Sequence, residues 1–300
     1  MAPVMLRTIF AGAFQLIAVC ALSCLVANAA EIRNDPSRGA EGAVLEGRIE
    51  AGDSDKLLDF IFKSHGIVEI YLASPGGNLI EAMKLGRLIR LLELSTVVPG
   101  KPLTNQDRVG DAAQHALKDP KANSMCASAC FFVFVAGIHR THDVVGPAIL
   151  GIHRPFASTN DSKTLGSDQV AVINDQVRTA VENYLKEMGV PKDYAVNMFS
   201  VPKGRIRWVR NDEFEADFEG FISDLRDVVD TRCERRRSTE KKMGQEPKSS
   251  SGAKTTAVDE STGAPGAKQR AERSGCEKKV QEELAVGAFD AFSQKSSTLH

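Results

Sequence analysis

The chain has 300 residues, 42% of them hydrophobic, and its 38 basic residues nearly balance 39 acidic ones for a formal net charge of −1. That is enough apolar material for one sizeable domain or two smaller ones. A charge so close to zero argues against a general electrostatic grip on nucleic acid or on an anionic membrane.

Residues 1–29 read as a secretory signal. Arg7 is their only charge, Ile9 to Val26 is mostly apolar, and Ala27-Asn28-Ala29 offers small residues for cleavage. Cleavage would start the mature chain near Ala30, in the periplasm or outside the cell, with no membrane attachment afterwards. Two alternatives stay open: an uncleaved anchor, since the apolar stretch approaches the roughly 17–25 residues of a membrane span, and a lipoprotein site at Cys24. Four cysteines then remain, Cys126, Cys130, Cys233 and Cys276. An even number in an exported chain permits two disulfides in three connectivities. Cys126 and Cys130, four apart, would share a face of a helix, as a bonded pair or as two buried hydrophobes. No histidine stands at a zinc-like spacing from them.

Ala43 to Ile49 and Lys56 to Phe62 bracket a turn at 51–55, so a strand and then a helix capped by Ser54 or Asp55 are expected. Ile67 to Leu72 is rich in β-branched residues and runs into Ser74-Pro75-Gly76-Gly77, the pattern of a buried strand entering a tight turn. From Asn78 to Leu94 apolar residues recur at helical spacing, and Ser95 to Pro99 is the next strand. The polar stretch from Gly100 to Met125 reads as a surface insertion. Cys126 to Ile138 has the apolar, small-residue character of a buried helix, and Val144 to Ile152 supplies strand material, which puts His153 at a strand end. Helices are expected over Val170 to Met188, Asp193 to Phe199 and Asp212 to Phe218, with a short strand over Ile206 to Val209. Alternating strands and helices argue for an α/β domain, residues 30–235, around a mainly parallel sheet. Residues 236–275 are poor in large apolar side chains and read as a disordered linker, and 276–300 as a short C-terminal helix or tail. A Cys233–Cys276 bond could dock that tail on the domain.

Three short motifs carry chemistry. Gly76 and Gly77 let the backbone approach a ligand without a Cβ in the way, although Pro-Gly-Gly alone is commonly just a turn. Ser128 stands between two alanines where the apolar run begins, as a nucleophile or as a helix cap. His153 follows a β-type run, as a base or as a structural side chain; His65, His115, His139 and His142 lack comparable surroundings.

In that order, Ser74-Pro75-Gly76-Gly77 after a strand, Ala127-Ser128-Ala129, Ala136-Gly137 followed by Arg140, and Ile152-His153-Arg154-Pro155 resemble the proteolytic subunit of the Clp protease, ClpP. They resemble more closely the exported ClpP-like proteins of bacteria in which cysteines flank the serine. The resemblance spans Ile67 to Asp224. It implies the ClpP/crotonase fold of stacked ββα units, with Ser128 as nucleophile, His153 as base and an oxyanion hole from the N–H groups of Gly76 or Gly77 and of Ala129. It implies a serine peptidase without cofactor or metal, acting on peptides or unfolded protein, and leaves assembly into a homo-oligomer open. In ClpP an aspartate precedes the late strand and completes the triad. Here Ile206 stands in that place, and Asp193, Asn197 and Asp212 match no motif. The departure brings in a second reading, a weakly active or inactive peptide-binding module. A serine–lysine peptidase using Lys84 and an enoyl-CoA hydratase-type enzyme fit the motifs less well.

Overall fold

The computed structural model describes residues 29–35, 41–64, 66–100, 125–143, 147–155, 166–243 and 265–297. The segment expected to be a secretory signal, apart from Ala29, and most of the 100–125 insertion lie outside the described residues.

Strand β1 (Glu31–Asn34) runs antiparallel to β2 (Gly42–Glu46), and β2 is the first of four parallel neighbours. The chain leaves β2 through Gly47 and Gly52, both at positive φ, and enters helix α1 (Asp53–Ser64). Two carboxylates organise that entry. Asp53 accepts from the Glu50 N–H at 2.8 Å, while Glu81 accepts from both the N–H and the hydroxyl of Ser54 at 2.7 and 2.6 Å. Burial pushes the Glu81 carboxyl up, but the Ser54 donors and Lys84 together hold it below its ordinary value. Strand β3 (Glu69–Ala73), helix α2 (Leu79–Leu91) and strand β4 (Ser95–Val98) follow, and α2 is capped by Asn78, whose side chain accepts from the Glu81 N–H.

The run from Cys126 to Ile138 is not one helix. It is a two-residue strand β5 (Cys126–Ala127), a turn at Ser128, and the six-residue helix α3 (Ala129–Phe134). All six helical residues are buried, consistent with an apolar run that has no polar face. Beyond it β6 (His139–His142) pairs in parallel with β4, and β7 (Leu150–Ile152) pairs in parallel with β5. Helices α4 (Ser167–Glu187) and α5 (Asp193–Ser200) precede β8 (Arg207–Trp208), which pairs antiparallel with β7. Helix α6 (Asn211–Asp217) then leads to β9 (Gly220–Phe221), antiparallel to β6.

The described residues thus form a mixed α/β structure with two sheets, one of order β1-β2-β3-β4-β6-β9 and one of order β5-β7-β8. The sheets meet at Ser74, whose N–H donates to Met125 O and whose carbonyl accepts from the Ala127 N–H, at 2.8 and 3.0 Å. One large apolar cluster joins β2, β3, α1, α2, α3, α4 and α5. Its aromatic centre sets Phe131 against Phe218 at 5.7 Å and Phe134 against Phe214 at 5.6 Å, and each such ring contributes about 1.5–3 kcal/mol on burial.

The C-terminal region departs from expectation. Helix α7 (Ser223–Met243) continues past residue 235, and helix α8 (Pro265–Ser297) begins eleven residues before Cys276. Helix therefore occupies both ends of the 236–275 stretch expected to be disordered, while 244–264 lies outside the described residues. A Cys233–Cys276 disulfide ties α7 to α8, and Phe289 and Phe292 of α8 pack against Phe62 of α1 at 5.3 and 6.1 Å. Among the described residues, no helix is long and apolar enough to cross a membrane.

Candidate active site

Ser128 has φ 61° and ψ −123°, a region that a residue with a Cβ rarely adopts. It lies at the sharp corner between β5 and α3, and backbone bonds fix it on both sides. Its N–H donates to Gly151 O on β7 at 3.0 Å, and its carbonyl accepts from Phe131 N–H at 3.1 Å. The side chain makes no capping hydrogen bond to the helix, which removes the helix-cap reading. The disulfide Cys126–Cys130 spans the corner. Its cysteines do not share a helical face as their spacing suggests, because one belongs to the strand and the other to the helix, and the bond brackets Ser128.

The glycine turn lies directly on this corner. A Cβ on Gly76, which has φ 97°, would come within 2.5 Å of Ser128 Cβ and 2.7 Å of Ala129 N. A Cβ on Gly77 would meet Ile49 O at 2.0 Å. Glycine is therefore required at both positions by close approach as well as by φ. The turn is clamped from the other side by Ile49, whose N–H donates to Gly76 O at 2.9 Å and whose carbonyl accepts from Asn78 N–H at 2.8 Å. The two glycine amides differ. Gly76 N–H donates to the buried Ser74 hydroxyl at 3.1 Å. Gly77 and Ala129 line the open cavity.

That cavity, about 260 Å³, brings Ser128 and His153 together with Gly77 and Ala129. Leu79, Phe132, Pro75, Pro155 and Ile206 give it apolar walls, and Arg48 is its one charged residue among the described lining. His153 Nδ1 lies 2.7 Å from the carbonyl oxygen of Arg154. A carbonyl only accepts, so Nδ1 is the donor in this contact, which in a neutral imidazole places the lone pair on Nε2. Across the β7–β8 ladder Gly151 faces Trp208 and Ile152 faces Arg207. The next register position sets His153 opposite Ile206, and both line the cavity.

The far end of α3 is held by side chains that local motifs do not reveal. Tyr184 donates to Phe132 O and Thr96 to Phe134 O, each at 2.7 Å. Arg90 donates to Ala136 O at 2.7 Å, and Arg140 donates to the carbonyls of Val135, Gly137 and Met188. Carbonyls left over at a helix end need such donors when buried. Burial drives the Arg140 guanidinium down to about 9 and lowers Arg90 as well, while the Tyr184 hydroxyl is pushed up. Arg140 and Arg90 thus remain charged near neutral pH and Tyr184 remains a donor. The period of α2 and α4 hides these partners, because Arg90 and Tyr184 meet α3 only after the helices pack.

The other sequence candidates fall elsewhere. Lys84 is 3.5 Å from Glu81 and absent from the cavity lining. Asp212 pairs with Arg210 at 3.0 Å, and neither Asp193 nor Asn197 lines the cavity. Among the described residues there is no group of three or more His, Cys, Asp or Glu that could hold a metal ion. Compared with models of known protein families and with curated proteins, the chain matches none.

Proposed function

We propose that the protein is an exported serine peptidase of ClpP-like architecture, a periplasmic or secreted enzyme without cofactor. The observation that carries this reading is Ser128 at φ 61° on a strand–helix corner, sharing one cavity with His153. Strain of this kind, held in place by backbone hydrogen bonds on both sides, is consistent with an exposed nucleophile on a sharp turn. The parallel β2-β3-β4 units with intervening helices are consistent with stacked ββα layers, and two disulfides are consistent with an oxidising compartment.

In this mechanism Ser128 Oγ attacks the peptide carbonyl as His153 Nε2 takes its proton. The developing oxyanion is met by the N–H groups of Gly77 and Ala129. Because α3 has only six residues, the direct amide hydrogen bond matters more here than any helix dipole. The imidazolium then returns its proton to the leaving amine, and water repeats the cycle on the acyl-enzyme. The Arg154 carbonyl holds the His153 tautomer, as a triad carboxylate would, but supplies no full negative charge to the imidazolium.

Ile206, at the position where ClpP carries its aspartate, favours a second reading in which the cleft holds extended peptide without cutting it. A fluorophosphonate probe and an unstructured casein-type substrate separate the two. Wild type should be labelled and should cleave, with both activities lost in Ser128→Ala. Labelling or cleavage that persists in Ser128→Ala overturns the peptidase reading, and a wild type that is inert to both supports the binding module.

A further inference from the structure

Among the described lining residues the cavity walls are apolar on most sides, and the one full charge is the Arg48 guanidinium. Arg48 lies between Gly47, at φ 101°, and Ile49, the residue whose N–H and carbonyl clamp the glycine turn. Its backbone also bridges to Ala29. The main chain beneath this arginine is therefore as firmly placed as the oxyanion turn itself. The side chain is 58% exposed, and its ion-pair partner, Glu50, stands at 3.7 Å, beyond hydrogen-bond distance. A half-exposed pair of that length holds a guanidinium weakly. Glu50 is not part of the cavity lining.

We propose that Arg48 is a specificity-determining residue that makes this cavity select peptides presenting a carboxylate beside the carbonyl at Ser128. The inference deepens the peptidase reading and rests on the same cavity receiving peptide. A guanidinium offers two parallel N–H donors to a carboxylate, a geometry that a neutral amide of the same shape does not match. Leu79, Phe132 and Ile206 offer apolar surface to the aliphatic part of the residue, and among the described lining residues no second cation or anion competes. The carboxylate can come from an acidic side chain or from the free C-terminus of the peptide.

Binding to full-length Ser128→Ala protein, read by fluorescence anisotropy, tests this without turnover. One pair of labelled, C-terminally amidated hexapeptides differs only by Glu against Gln at a central position. A second pair carries Gln and differs only by a free acid against an amide at the C-terminus. At low salt the acid member of at least one pair should bind about tenfold tighter, the scale of a charge-assisted hydrogen bond at a partly exposed site. Which pair shows the difference identifies the source of the carboxylate. The preference should vanish in Ser128→Ala/Arg48→Gln and persist in part in Ser128→Ala/Arg48→Lys, which keeps the charge without the fork. Equal affinities in both pairs, a preference that survives Arg48→Gln, or no peptide binding at all overturns the inference. Fluorophosphonate labelling of wild type distinguishes the two levels. Labelling without an acid preference sinks the role of Arg48 alone, and a preference without labelling sinks hydrolysis while supporting the role of Arg48.

Discussion

Ser128 is held in a conformation that costs on the order of 1–3 kcal/mol, and the surrounding contacts determine it from every side. Gly151 takes its N–H, Phe131 donates to its carbonyl, and the absence of a Cβ at Gly76 leaves room for its Cβ. Among the described residues, the Arg154 carbonyl supports His153. A backbone carbonyl fixes which nitrogen carries the proton but adds only a dipole where a triad adds a charge, and losing the carboxylate from such a triad can cost about 10⁴ in turnover. Ile206 is the register neighbour of His153 and packs in a small cluster with Met125, Ala127, Ile149 and Trp208. Ile206→Asp should therefore raise kcat on a peptide ester, by about tenfold or more given the size of the triad effect, with little change in KM. A variant that folds as wild type does and shows no gain would contradict the placement of Ile206 at the third catalytic position.

At the scale of elements, the two disulfides have separate tasks. Chain-entropy arithmetic gives about 2 kcal/mol for a bond closing a loop as short as Cys126–Cys130, and about 4 kcal/mol for one spanning 43 residues as Cys233–Cys276 does. Denaturant unfolding should show the larger loss for Cys233→Ser/Cys276→Ser. The smaller loss for Cys126→Ser/Cys130→Ser should come with slower fluorophosphonate labelling, because that bond ties β5 to α3 across Ser128. The reverse ranking of stabilities would contradict this division. Legibility in the sequence follows the same lines. Strand β3 and helix α2 are plain because a β-branched run ends at Pro-Gly-Gly and a 3.6-residue period begins after it. Strand β5 is hidden, since a continuous apolar run from Cys126 onward has no period with which to mark a corner. His139-Arg140-Thr141-His142 has no apolar alternation at all, and it becomes a strand only because β4 and β9 supply its partners. Ser128 and His153 are legible as motifs. The clamp on Ile49, the cap by Arg140 and Tyr184, and the place of Arg48 depend on residues brought together from distant elements, which spacing along the chain does not encode.

At the scale of the molecule, the C-terminal helices belong to the folded body. Val229 of α7 and Val280 of α8 form a small buried cluster with Phe221 of β9, next to the Cys233–Cys276 bond. His139 of β6 lies on that side, 4.3 Å from the Phe221 ring, with its Nδ1 buried and unpaired among the described residues. Burial holds its pKa below the ordinary 6.5, and Glu277 of α8 opposes the shift only in part. As the pH falls below 6.5 the unfolded chain takes up this proton before the folded one, so the His139 contribution to stability is present above 6.5 and is lost towards its lowered folded value. Thermal unfolding followed from pH 7.5 to pH 5 should therefore fall more steeply for wild type than for His139→Phe. Parallel curves would remove His139 as a source of acid sensitivity.

The claim on which the account turns is that Ser128 is a working nucleophile and His153 its base. Mass spectrometry of the mature, oxidised protein after reaction with a fluorophosphonate tests it most directly. A single adduct on Ser128, with the rate falling at least about a hundredfold in His153→Ala as expected for loss of a general base, is the predicted result. Adducts on other serines, or labelling of Ser128 at an unchanged rate without His153, would contradict it.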